Sequence, residues 1–256
     1  MTAEERFLFD LQGFLLIKNA IAPEVLGAMN TWLDEQAARD PRWQGQTANA
    51  HLENILTWGP MFRDLLDNPR VFPILKDLLG NKLRLDHDYG IFLRPGHSGL
   101  KLHGPNFIPF DPCHYYHCSN GKISCGLTVA AYALNDVPPG AGGFAVIAGS
   151  HKCNFDCPKE IKTFERASSI VQQVPIQAGD CIVFTEALIH GTFPWKGPGV
   201  RRTLFFKYAP SNLAWEKRTY FPHAGNAAIQ SITTELTETQ RALLDPPSAV
   251  DFHRAL

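Results

Sequence analysis

Residues 181–208, CIVFTEALIHGTFPWKGPGVRRTLFFKY, contain the pattern that decides the fold. Two apolar runs flank a loop rich in proline and glycine, which is typical of two β-strands joined by a long connection. His190 follows the first run and Arg201 opens the second, at equal distances from the Trp195–Lys196 peptide. If the strands pair as a hairpin about that centre, the imidazole and the guanidinium lie side by side. Since imidazoles bind metal ions and guanidiniums bind carboxylates, the stretch predicts a metal site beside an anion site.

Short apolar runs separated by glycine and proline turns also occur upstream of this stretch, beginning near Lys82. Such a series is typical of a β-sandwich or jelly roll. In the first third of the chain, apolar residues recur instead at helical spacing, as at 23–33 and 52–79. We therefore predict one mainly β domain over residues 1–256, with a helical N-terminal third packed on a jelly-roll core at about 82–210.

The composition excludes several classes of function. The net charge of −1 gives no basis for nucleic-acid binding, which needs a basic surface. No apolar run approaches the roughly 18 residues of a membrane span, and the polar, acidic N-terminus is unlike a secretion signal. The six cysteines include no Cys-x-x-Cys pair, so reduced thiols in a cytoplasmic protein are expected. We expect a small-molecule substrate and no nucleic-acid or membrane partner, and the sequence leaves the oligomeric state open.

A metal site needs a second ligand, and we select His103 among the ten histidines. It follows the predicted strand at 99–102 and begins an irregular loop, HGPNFIPFDP, that is suited to line a cavity. A second set of zinc-type side chains occurs in CHYYHC at 113–118, but four ligands this close cannot all reach one tetrahedral ion. A mixed zinc site with Cys125 is the open alternative to a loop over the mouth of the cavity. The candidates for substrate contact are Asn106, Tyr115, Tyr116 and Trp195.

Three blocks spread over most of the chain share one resemblance. They read FDLQGFL (9–15), GGF with IAGSHK (142–144, 147–152), and HGT followed by Arg201 (190–192, 201). Together they resemble the phytanoyl-CoA dioxygenase family of non-haem Fe(II)/2-oxoglutarate-dependent oxygenases. The distances between His103, His190 and Arg201 along the chain are also similar to the spacing in that family.

The resemblance implies a double-stranded β-helix, which is a cupin-like jelly roll, and an enzyme that uses 2-oxoglutarate and O2 as co-substrates. By the same resemblance His103 and His190 would bind Fe(II), and Arg201 would bind the distal carboxylate of 2-oxoglutarate. Thr192 matches a position whose hydroxyl often contacts that carboxylate. The implied activity is hydroxylation, or another oxidation, of an unactivated C–H bond in a small organic molecule.

The chain departs from the family at its first histidine. The family has His-x-Asp there, which completes a set of two imidazoles and one carboxylate, whereas this sequence has His103-Gly104-Pro105. A carboxylate from elsewhere could take the place of the aspartate, and Asp111, in the same loop, is our candidate third ligand. Glu186 is the other candidate, although four residues of strand span about 13 Å. It can join His190 only if residues 186–190 form a helix-like turn.

Without a replacement carboxylate, the missing aspartate leads to one of two different functions, and both stay open. Halogenases related to these oxygenases have a small residue at this position, so a halide can take the vacant place on iron. The chain would then be a 2-oxoglutarate-dependent halogenase. If metal binding has been lost instead, the chain would be a non-catalytic jelly-roll binding protein.

Overall fold

Two facing antiparallel sheets and a separate hairpin make up the β-structure of the protein. The structure is a computed structural model that describes residues 1–45, 51–105, 111–215 and 226–248. The strands are β1 Phe14–Ile17, β2 His51–Glu53, β3 Leu83–Leu93, β4 Leu100–His103, β5 Tyr116–Ser119, β6 Lys122–Cys125, β7 Thr128–Ala133, β8 Gly143–Val146, β9 Gln172–Gln173, β10 Cys181–Thr185, β11 His190–Phe193 and β12 Arg201–Pro210. The major sheet has the order β1-β10-β7-β12-β3-β2, the minor sheet β4-β11-β8-β9, and β5 pairs with β6. The predicted jelly roll with flanking helices is confirmed.

The helices lie mainly before β3 and after β12. They are α1 Ala3–Gln12, α2 Pro23–Arg39, α3 Pro60–Arg63, α4 Phe72–Leu79, α5 Lys159–Lys162, α6 Ala227–Gln230 and α7 Glu238–Leu243. A capping box of Thr2 and Glu5 starts α1, and Gly13 ends it with a φ of 85°. None of the described helices has both the length and the hydrophobicity needed to cross a bilayer.

The alternation of side chains along β12 divides the interior into two parts. Leu204, Phe206 and Tyr208 face outward and pack with helical residues such as Met29 and Leu75. The intervening residues of β12 face the minor sheet and line the space between the sheets. Because successive side chains of a strand point to opposite faces, one strand both anchors the helices and forms a wall of the cavity.

The predicted hairpin between the runs at 181–208 is wrong. The first run forms β10, which pairs with β1 and β7, and the second forms β12, which pairs with β3 and β7, so β7 lies between them in the major sheet. His190 begins a separate strand, β11, which pairs with β4 and β8 in the minor sheet. The loop between β11 and β12 carries the chain from one sheet to the other. It is anchored by Trp195, which is buried in the core and donates from Nε1 to the carbonyl of Gly199 at 3.0 Å. His190 and Arg201 therefore face each other across the sandwich instead of lying on adjacent strands.

Candidate metal centre

The two candidate histidines are cross-strand neighbours. The strand β11 pairs with β4 so that His190 lies opposite His103, and their ring centroids are 4.3 Å apart. His190 is buried, whereas His103 is exposed at the end of its strand. Residues 87 positions apart in sequence are thus brought together by strand pairing.

Both imidazoles are oriented by a backbone carbonyl two residues earlier. The Nδ1 of His190 is 2.8 Å from the carbonyl oxygen of Leu188, and the Nδ1 of His103 is 3.0 Å from that of Lys101. Since a carbonyl can only accept, each Nδ1 carries the hydrogen and each Nε2 keeps its lone pair. Burial, followed by the charge of His103, lowers the pKa of His190 to about 3. This is the neutral, carbonyl-supported state in which histidine binds metals.

A carboxylate joins the two histidines from the turn between β10 and β11. The amide of Leu188 donates to the carbonyl of Thr185 at 2.9 Å, so the chain turns here instead of continuing as a strand. The turn brings Oε2 of Glu186 to 3.9 Å from Nε2 of His190. Two metal–ligand bonds of about 2.1 Å each could span this distance. Ligand atoms of His103, Glu186 and His190 all lie within 4.8 Å of one another, and no other such group of three occurs in the described residues.

The carboxylate of Glu186 is held by a buried lysine. Lys207, on the cavity side of β12, places Nζ 2.7 Å from Oε1 of Glu186. Burial alone would raise the pKa of Glu186, but the charges of Lys207 and then His190 reverse this effect and lower it. Burial alone would lower the pKa of Lys207, but the charge of Glu186, with contributions from Tyr89 and the hydrogen bonds to both, raises it. The pair is therefore ionised, and Glu186 is available as an anionic ligand.

Asp111 makes different contacts. Its Oδ1 accepts from the amides of Cys113 at 2.9 Å and His114 at 3.3 Å, and its Oδ2 lies 2.7 Å from Nδ1 of His114. Short aspartate side chains commonly bind the backbone two residues ahead in this way. The structure thus uses Asp111 to shape its own loop, and it brings Glu186 to the two histidines.

An unpaired guanidinium lies in the same cavity. Arg201 is 4 % exposed, its Nε has no partner within the described chain, and burial without a nearby acid lowers its pKa to about 10. Its neighbour Arg202 faces the helices and pairs with Asp34. A buried cation without a partner is costly, so Arg201 fits an anionic ligand that enters the cavity. Thr192 lines the cavity too.

Gly143 of the GGF motif lies beside this guanidinium and packs closely against Val137. A Cβ at this position would lie 3.5 Å from Nε of Arg201 and only 2.7 Å from a methyl group of Val137. The residue also has a φ of 85°, a conformation that favours glycine. The motif that carried the sequence resemblance thus has a steric role against Val137, next to Arg201.

The remaining sequence candidates lie away from the two histidines or outside the described residues. Asn106 lies outside the described residues. Tyr116 donates from its hydroxyl to Asp10, and with Tyr115 it lines a separate surface cavity of about 550 Å³. Trp195 packs in the core between the sheets. Within the described chain, the side chains at 113–118 form no group of three potential metal ligands.

Two polar residues were missed by the sequence pattern. One is Lys207, which shares a strand face with Arg201 at a spacing that the alternation of β12 could have indicated. The other is His97, whose Nδ1 accepts from the amide of Gly99 at 2.9 Å and whose buried Nε2 has no partner among described residues. Burial and then the charge of Arg201 lower the pKa of His97. Its position after a proline–glycine turn gave no signal.

Comparisons with known proteins agree with this geometry. The family model described as Phytanoyl-CoA dioxygenase (PhyH) matches residues 9–203. HygX from Streptomyces hygroscopicus with nickel and 2-oxoglutarate bound is 26% identical, with a TM-score of 0.74 over 84% of this chain and 90% of that chain. The iron-bound HygX structure is 25% identical, with a TM-score of 0.73 over 84% and 90%. A probable phytanoyl-CoA dioxygenase of Caenorhabditis elegans is 23% identical over 83% of this chain and 77% of its own length. The chain belongs to the phytanoyl-CoA dioxygenase family of Fe(II)/2-oxoglutarate-dependent oxygenases.

Proposed function

We propose that His103, Glu186 and His190 bind Fe(II) and that Arg201 binds the distal carboxylate of 2-oxoglutarate. The observation that carries this proposal is one cavity with two imidazoles, one carboxylate and a buried guanidinium without a partner among the described residues. The protein would use this site to oxidise an unactivated C–H bond of a small organic molecule.

The residues fit the metal by their chemistry. Two neutral imidazoles and one carboxylate are the ligand set of non-haem Fe(II) oxygenases, and both imidazoles have the supporting carbonyl that metal-binding histidines need. When bound, Fe(II) with 2-oxoglutarate and O2 supplies the oxidising power, which no side chain can provide.

The protein's own residues orient the reactants and exclude water. Arg201 would hold the far carboxylate with charge-assisted hydrogen bonds, and Thr192 would add a hydroxyl contact. The inner wall of the cavity is lined by Phe144, Ile182 and Phe184, whose apolar side chains would exclude water from the cavity. The apolar side chains of Ile91 and Phe205 in the same cavity are our candidates for substrate contact.

The carboxylate of Glu186 favours an oxygenase over the two alternatives. A halogenase needs the third ligand position to be free for a halide, and Glu186 lies where it would occupy that position. A non-catalytic binding protein would have no need for two oriented imidazoles and a buried acid in one cavity. We therefore assign no halide ligand.

The substrate proposed here is a small molecule. One HygX structure contains hygromycin B, and its chain is 24% identical to this one with a TM-score of 0.71. The net charge of −1 is also consistent with a substrate that is not a polyanion. A cytoplasmic location, expected from six cysteines that are all free, stays a prediction.

Anaerobic Fe(II) binding, followed by measurement of succinate formed from 2-oxoglutarate, tests the proposed function. We expect one Fe(II) per chain, and succinate formation that is lost in His103→Ala and His190→Ala. The proposal would be refuted if the protein retained no Fe(II), or if both variants bound Fe(II) and formed succinate like the wild type. Product mass measured with and without chloride separates hydroxylation from halogenation.

A further inference from the structure

The ammonium of Lys207 is held in one position beside the proposed metal ligands. Its Nζ is 2.7 Å from Oε1 of Glu186 and lies over the rings of Tyr89 at 5.6 Å and Trp215 at 5.7 Å. The lysine side chain is only 11 % exposed. Because a carboxylate and two aromatic faces surround it, the ammonium has little freedom to leave Glu186.

The two oxygens of Glu186 consequently have different surroundings. Oε1 contacts Lys207, whereas Oε2 faces Nε2 of His190 at 3.9 Å. Carboxylates bind metal ions through either one or both oxygens. The contact with Lys207 leaves a single oxygen of Glu186 for the metal.

We propose that Lys207 is a positioning residue that restricts Glu186 to one-oxygen coordination and thereby keeps open a metal position that 2-oxoglutarate needs. This inference rests on the proposed function. An octahedral ion bound by two histidines and one carboxylate oxygen has three open positions, enough for a two-point chelate and O2. If both oxygens of Glu186 bound, only two positions would remain.

Lys207 also compensates the charge of the ligand. Glu186 and Lys207 together are neutral, so the pocket attracts a cation less strongly than a lone buried carboxylate would. Removal of the ammonium should therefore strengthen metal binding and weaken 2-oxoglutarate binding. A lysine with a merely structural role would give no such opposite changes.

Calorimetry measures both affinities of Lys207→Met. The variant is first titrated with Ni(II), and the Ni(II)-loaded protein is then titrated with 2-oxoglutarate. Coupling between close charges can shift an affinity by a factor of ten or more. We expect Ni(II) to bind about tenfold more tightly and 2-oxoglutarate about tenfold more weakly. Lys207→Arg, which keeps the charge and the donors, should restore both values toward wild type.

A matched control is Lys18→Met, because Lys18 pairs at 2.9 Å with the buried carboxylate of Asp180 outside the cavity. This variant should lose thermal stability and keep both dissociation constants. Weaker Ni(II) binding or unchanged 2-oxoglutarate binding in Lys207→Met would overturn the role of Lys207. If Lys207→Met does not fold, Lys207→Gln tests the effect of removing the charge. Weaker Ni(II) binding in Lys207→Gln would also overturn the role of Lys207. Failure of the wild type to bind Ni(II) would instead refute the proposed function.

Discussion

In the proposed site, Glu186 would contribute a carboxylate from an unusual place for this family, four residues before the second histidine. The position that holds aspartate in the family is Pro105 here, which has no side-chain oxygen. The turn at 185–188 shortens the path between Glu186 and His190, and Lys207 keeps the acid ionised. A longer side chain on a turn would thus substitute for a shorter one beside the first histidine.

Arg201 offers a prediction in which stability and binding change in opposite directions. Arg201→Met removes a buried cation that has no partner among the described residues, so the free energy of unfolding without ligand should stay equal or rise. The same change should weaken 2-oxoglutarate binding about 100-fold, since loss of a buried charge-assisted partner costs about 2–5 kcal/mol. Chemical denaturation and calorimetry measure the two effects. A large loss of stability with unchanged affinity would show that Arg201 has a structural role instead.

At the residue scale, the motif around His190 and Arg201 made these two residues candidates, and the distance of His103 from them along the chain made it the third. Sequence spacing was insufficient for the third ligand, since whether Glu186 reaches His190 depends on a turn of four residues. For Lys207, strand alternation could have indicated the face that it shares with Arg201, but not that Glu186 lies next to it across the cavity.

Among the elements, β11 and β12 determine how the site is assembled. The two apolar runs predicted β10 and β12 correctly, but β11 was not predicted as a strand. Periodicity also does not give the strand order, in which β7 lies between β10 and β12. The connecting loop has enough residues to cross between sheets, and the buried indole of Trp195 fixes its path. The two residues that were expected side by side therefore approach across the cavity.

The strand β8 supplies the next prediction, through Gly143. Gly143→Ala should lower the free energy of unfolding by more than the roughly 1–2 kcal/mol of a positive φ, because the new Cβ meets Val137. It should also weaken 2-oxoglutarate binding, because the shift that relieves the clash with Val137 displaces β8 beside Arg201. The control is Gly140→Ala. Gly140 also has a positive φ, 82°, but a Cβ there would have no described heavy atom within 4 Å. Equal effects of the two variants on 2-oxoglutarate affinity would contradict this role of Gly143.

For the molecule as a whole, the major sheet separates support from chemistry. Its outer face packs against the helices, and its inner face forms the cavity with the minor sheet. Strand counts and helical spacing were enough to predict this layering. The pairing order of the strands was not predictable, because it depends on contacts between distant residues.

The pH dependence of stability is a prediction for the whole protein without metal. Burial, with help from His103, lowers the pKa of His190 to about 3, and burial, with help from Lys152, lowers that of His151 to about 4. Unfolded histidines titrate near pH 6.5, so below that pH the unfolded chain binds more protons. The free energy of unfolding should therefore fall from about pH 6.5 toward pH 4, by up to about 1.4 kcal/mol per pH unit for each histidine.

Urea denaturation at a series of pH values measures this slope. His151→Gln should make the slope shallower by about one proton, because it removes one of the histidines whose pKa is lowered by the fold. A free energy of unfolding that stays constant between about pH 6.5 and 4.5 would show that neither imidazole is kept neutral by the fold.

The identity of the third ligand is tested most directly by the Ni(II) dissociation constants of two matched variants, Glu186→Gln and Asp111→Asn. Each replaces a carboxylate by an amide of similar size. We predict that Glu186→Gln weakens Ni(II) binding about 100-fold or more, as expected for loss of a ligand, and that Asp111→Asn leaves it unchanged. Weakened binding in Asp111→Asn with wild-type affinity in Glu186→Gln would contradict the assignment of Glu186.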